Sequence, residues 1–78
     1  MPLAYEEIVN FIAAGPTPQA VADFQPSAET KAHVAELIHR EKTSGLSAEE
    51  KSELQHFLHL EHLMRLAKAR ARSNLGQD

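Results

Sequence analysis

Five histidines and eleven carboxylates in 78 residues are the first side chains to weigh as chemistry. Two Glu-x-x-His pairs stand out, Glu36-Leu37-Ile38-His39 and Glu53-Leu54-Gln55-His56. On facing helices this spacing sets a carboxylate and an imidazole one turn apart, as in di-iron carboxylate bundles. Glu36, His39, Glu53 and His56 are therefore the metal candidates. Such a site also needs two further glutamates and an apolar interior, whereas both pairs fall on the polar flanks of their helices. The adopted reading is no metal and no cofactor, with these side chains solvated; the alternative is an oligomeric bundle that binds metal across an interface. His56, His59 and His62 follow in steps of three, which drift about 60° per step around a helix. All three do not converge on one ion. His59 with His62 suits weak metal binding or a pH-sensitive surface, and exposed helix surface is the preferred reading.

Catalytic signals are scarce. Ser27, Ser44, Ser47, Ser52 and Ser73 fall at caps, at a helix end or on polar surface. None has a glycine-rich elbow. Three glycines, two of them at helix ends, leave no phosphate-binding loop, and the absence of cysteine removes thiolate metal sites and disulfides. The chain is expected not to be an enzyme.

Charge is unevenly distributed. Residues 1–61 hold ten of the eleven acids and four of the eight Lys and Arg. The other four bases, Arg65, Lys68, Arg70 and Arg72, lie within residues 62–77, which contain no acid. Basic residues in a final helical turn also complement the helix dipole, by ~0.3–1 kcal/mol each. As a nucleic-acid footprint, four bases on a chain of net charge −3 are weak. Aromatic interleaving, a helix-turn-helix and a zinc site are all missing, so nucleic-acid binding is kept only as a minor alternative. No run approaches the ~20 apolar residues of a membrane span. Met1 to Glu7 lacks the positive start and apolar core of a signal peptide. A cytoplasmic protein is expected.

The elements that position these groups read as helices. Residues 4–14 form the first, with Tyr5, Ile8, Phe11 and Ile12 on one face and Gly15-Pro16 as its stop. Thr17-Pro18 opens a short second helix over 18–24, which contributes Val21 and Phe24. Ser27 caps a third over 28–44, with Val34, Leu37 and Ile38 as its inner stripe and Gly45 as its end. Leu46-Ser47-Ala48-Glu49-Glu50 has capping-box spacing with a staple residue before the cap, and starts a fourth helix over 48–72. Residues 73–78 are expected to fray. The chain is expected to be one all-α domain over residues 1–78: short N-terminal helices, then a long antiparallel helical hairpin.

A hairpin folded around residue 45 sets position 28 near position 63. The fourth helix then overhangs by about nine residues, Met64 to Arg72, or ~13 Å. Phe57, Leu60, Met64, Ala67 and Ala71 share one side of this helix, Leu58 lies on one flank, and Leu63 and Leu66 lie on the other. Helices 1 and 2 wrapping back is one way to cover the overhang. The adopted reading is an intermolecular face, formed with a second copy or another protein.

The stretch from Phe24 to Arg72 resembles a group of small bacterial antitoxin-like proteins encoded beside HNH or PIN-type nucleases. The resemblance rests on Phe24-Gln25-Pro26-Ser27, on Gly45-Leu46-Ser47-Ala48-Glu49-Glu50, and on Leu60 through Arg70. It implies a protein that masks a nuclease with its C-terminal helix, and it supplies no catalytic residues. On this reading the chain binds a protein partner, a toxin nuclease, through Leu60, Leu63, Met64, Arg65, Leu66, Lys68, Arg70 and Arg72. Leu63, Met64 and Leu66 act as anchors, and the arginines pair with acidic groups.

Overall fold

The computed structural model describes residues 3–76. Four helices follow in order: α1 (Glu6–Ala13), α2 (Pro18–Asp23), α3 (Ala28–Lys42) and α4 (Ala48–Leu75), with no strand among the described residues. The fold is all-α.

Local chemistry sets the helix boundaries. Thr17 Oγ1 accepts a hydrogen bond from Ala20 N at 3.1 Å and Pro18 occupies the first turn, so α2 starts where the missing proline N–H costs nothing. Ser27 Oγ accepts from Thr30 N at 3.2 Å. Ser47 Oγ accepts from Glu50 N at 3.1 Å while Glu50 Oε1 accepts from Ser47 N at 3.0 Å, which completes the capping box. Gly15 and Gly45 take φ of 68° and 90°, the left-handed conformation that ends α1 and reverses the chain after α3. Leu46 packs against the core instead of stapling to its own helix, because the facing position is the exposed Lys51.

Three boundaries depart from the sequence reading by two residues or more, one of them the end of α3, at Lys42 where residue 44 was expected. α1 begins at Glu6, two residues later than expected, and Ala4 is instead buried at 3% exposure. α4 continues through Leu75, so Ser73 and Asn74 are helical and not frayed. The run Leu66 to Arg72 before them consists of good helix formers that carry the helix on, and Gly76 N donates to Arg72 O at 2.9 Å. The rest of the expected frayed tail, residues 77 and 78, lies outside the described residues.

The core is one cluster of Ala4, Ile8, Val34, Leu37, Leu54, Phe57 and Met64. Tyr5, Phe11, Val21, Phe24, Ile38 and Leu60 pack around it half-buried. The Phe11 and Phe24 rings lie 4.4 Å apart and join α1 to the end of α2. Ile12, expected on the inner face of α1, is 51% exposed; Ile8 and Phe11 already fill that contact. Ala22 on α2 is 7% exposed although its small side chain gave no sign of burial in the sequence.

The α3–α4 relation is looser than a close-packed hairpin. His33 reaches Glu53, and Arg40 reaches Glu50, so the two helices run in opposite senses at their joined ends. Over most of their length their backbones stay apart, and the six-residue α2 lies closer to α4 than the longer α3 does. α4 spans ~42 Å at 1.5 Å per residue, most of the molecule's 50 Å long axis.

Phe57 is 1% exposed at the centre of the cluster. Its replacement by alanine is expected to cost about 3–5 kcal/mol, read as a fall in urea midpoint. Ser47→Ala should cost ~1 kcal/mol. The Ser47 backbone N–H, then the Arg40 guanidinium, hold the Glu50 carboxyl below the ordinary glutamate range. A depressed folded pKa gives stability that is present above the unfolded value and lost as pH falls through the folded one. Glu50→Gln keeps the cap acceptor but removes the charge, so its stability should fall less steeply on acidification than that of the parent chain.

Candidate functional site

α4 presents two unlike sides. Its inward stripe holds Glu53, Leu54, Phe57, Met64 and Ala71, all buried. Leu60, Glu61 and Lys68 are half-buried beside it. Its outward side holds Leu63 and Leu66, each 57% exposed.

The overhang is therefore divided. The structure covers its inward side from within the chain: Phe24, Gln25 and Pro26 face Met64, Arg65 and Lys68 across a shallow cavity of about 200 Å³ that Ile8 also lines. Lys68 Nζ donates to Phe24 O at 2.6 Å, which ties the end of α2 to α4. This corrects the expectation that a separate molecule covers the whole overhang. α2 is six residues long and is followed by Gln25-Pro26, and this short segment folds back along α4 beside Met64 and Lys68. Met64, expected among the anchors, is 5% exposed and belongs to the protein's own core. Leu60 is half-buried against that core, and Lys68 is engaged by Phe24.

Of the other partner-binding candidates, Arg65 Nη2 donates to Glu61 Oε1 at 2.6 Å, an exposed pair one turn apart. Arg70 and Arg72 are exposed. Leu63, Leu66, Arg70 and Arg72 are thus the members of the expected set that leave their side chains outside the protein's own packing.

The metal candidates are not assembled. Among the described residues no group of three or more His, Asp or Glu is placed to hold an ion. Glu36 and His39 are exposed on α3, and Glu36 Oε1 lies 3.7 Å from Arg40 Nε. His56 is exposed, donates from Nδ1 to Ser52 O at 2.8 Å, and sets its ring 5.2 Å from that of Tyr5. Glu53 does not sit on a polar flank as expected. It is 7% exposed, and its Oε2 accepts from Ala4 N at 2.8 Å and from His33 Nε2 at 3.0 Å. The signal was present in the sequence, because Glu53 lies one turn before Phe57 on the same side of α4.

This Glu53 cluster joins three parts of the chain: the N-terminal lead into α1, α3 and α4. A second carboxylate does similar work nearby, where Glu7 Oε1 accepts from Ser27 N at 2.6 Å and so ties α1 to the cap of α3. Glu6, Glu7, Glu29 and His33 line a cavity of about 250 Å³ between α1 and α3. Its acidity has a structural cause, since Glu6 and Glu7 accept from backbone N–H groups. No helix among the described residues is long and apolar enough to cross a membrane.

Comparison with known proteins returns no match: no family model, no curated protein and no solved structure matches the chain.

Removal of the Glu53 carboxylate leaves Ala4 N and His33 without their buried acceptor. Glu53→Ala is expected to cost about 1–3 kcal/mol and to speed hydrogen exchange across α1. An exposed control, Glu49→Ala, should change stability by less than about 0.5 kcal/mol. Equal effects from the two substitutions would contradict a holding role for Glu53.

Proposed function

We propose that this protein is a non-enzymatic interaction module of the antitoxin-like kind, acting in the cytoplasm to bind and inhibit a nuclease-type protein through the outward side of α4. The observation that carries this reading is the pair Leu63 and Leu66, each 57% exposed on a helix whose inward stripe the chain itself has covered. Full burial of a leucine side chain contributes ~1.5–3 kcal/mol. With roughly half of each side chain still exposed, the pair offers a few kcal/mol to a partner. Polar contacts must supply the rest, and Arg70 and Arg72 are exposed on the same helix.

The resemblance of Phe24 to Arg72 to small nuclease-partner proteins supports the choice of a nuclease. It also supports docking by a helix laid into a groove. Relative to the sequence reading, Met64 leaves the docking set and Leu60 and Lys68 become supports behind it.

The test is a titration of the purified protein into the nuclease encoded beside it. Inhibition should weaken by roughly tenfold or more in the variant Leu63→Asp with Leu66→Asp, while the helical circular dichroism signal stays at the parental level. Absence of inhibition by the parent chain, or full inhibition by the double variant, would overturn the proposal.

A further inference from the structure

The cavity of about 200 Å³ where the segment after α2 crosses α4 joins an apolar floor to a cationic rim. Ile8, Phe24, Pro26 and Met64 make the floor, and Ile8 and Met64 are 1% and 5% exposed. Gln25, Glu61, Arg65 and Lys68 make the rim. This opening lies on a different flank of α4 from the exposed leucines. At 100° per residue, Arg65 and Lys68 stand at least ~100° around the helix from Leu63 and Leu66.

Hydrogen-bond donors outnumber acceptors at the rim, and its positive charges are those of lysine and arginine. Lys68 Nζ has three N–H groups and gives one to Phe24 O at 2.6 Å. That bond also holds the ammonium group beside the cavity. Arg65 has five N–H groups and donates from Nη2 to Glu61 Oε1 at 2.6 Å. Gln25 Oε1 accepts from Lys31 Nζ at 3.1 Å, which leaves the Gln25 NH2 group without a partner among the described residues. The same bond brings a third cation next to the rim.

One carboxylate, Glu61, stands against these groups. Glu7 of α1 and Asp23 of α2 accept from Ser27 N and Gln19 Nε2 instead. The Arg65–Glu61 pair is itself exposed, with the arginine side chain 71% open to solvent. Such a pair is weak and readily exchanged for a better acceptor. An oxyanion is that acceptor, because charge-assisted hydrogen bonds to it are the strong kind.

We infer that this cavity binds a small organic anion, an aromatic or short aliphatic group that carries a carboxylate or phosphate. The apolar group rests on Phe24, Pro26 and Met64, and the oxygens accept from Lys68, Arg65 and Gln25. Drug-sized ligands fill about 300–1,000 Å³, so the smaller volume here suits one ring with its acid group. A metal cation meets the wrong charge, and an uncharged apolar molecule leaves the donors unused. The site is independent of the partner surface proposed for Leu63 and Leu66.

Phenyl phosphate and benzoate, titrated into the full-length protein and followed by backbone-amide NMR, test it. At least one should give saturable shifts confined to Ile8, residues 24–26 and residues 64–68. Its binding should be at least roughly tenfold tighter than that of inorganic phosphate or phenol. Binding of only one of the two names the acid group and supports the inference. Arg65→Gln should weaken binding several-fold. Glu61→Gln should tighten it, because the competing carboxylate is gone; a purely structural role for Glu61 would not produce that gain. Lys68→Met should abolish binding, and where this variant loosens α2 the Arg65 and Glu61 variants decide. The inference is overturned by absence of saturable shifts with both compounds, by equal binding of phenol or inorganic phosphate, or by weaker binding in Glu61→Gln. Shifts spread over every basic residue of α4 overturn it as well.

Discussion

The constraint on which the structure depends is the inward stripe of α4, which must be kept from water along a helix of 28 residues. No other helix is long enough to cover it: α3 has 15 residues, α1 eight and α2 six. The stripe is therefore shared. α1 and α3 supply Ile8, Val34 and Leu37 to the cluster around Leu54 and Phe57, while α2 and the segment after it lie against the second half of α4. A chain of this size buries a modest share of its surface, and this division lets short helices act as one cover.

Polar contacts then hold the cover in place. Glu53, on the buried stripe itself, is bonded to the backbone ahead of α1 and to His33 of α3. Glu7 is bonded to the cap of α3, and Lys68 to the carbonyl of Phe24. In each case a side chain satisfies or is satisfied by a group that would otherwise lie unpaired at the edge of the core, where such a loss is costly. These contacts are directional in a way that apolar burial is not, and they give the short helices defined places on α4.

The long helix consequently has a finished side and an open one. With the inward side occupied by the protein's own residues, the outward side is left with Leu63, Leu66 and Arg70 in helical register. Exposed single leucines are ordinary on protein surfaces. Two on one side of a helix whose other side is already covered give an apolar centre that the protein's own packing leaves open.

Helix identity and most boundaries were legible in the sequence, because caps and breakers act within a few residues: Thr17-Pro18, Ser27, Gly45 and the Ser47–Glu50 box each appear in the structure as local patterning implies. The exposure of Leu63 and Leu66 was legible too, since the angle between them and the Phe57–Met64 side follows from helix geometry alone. Contacts distant in sequence were not legible. Glu53 reads as a polar residue and a possible ligand until the backbone N–H of Ala4 is brought to it across 49 positions. Met64 reads as an anchor for a second molecule until Phe24 and Pro26 arrive beside it. The sequence by itself determined that four helices form and which sides of them are apolar. Which elements cover the inward side, and which partners the buried Glu53 finds, was decided by the tertiary structure alone, because both depend on where α1, α2 and α3 come to rest on α4.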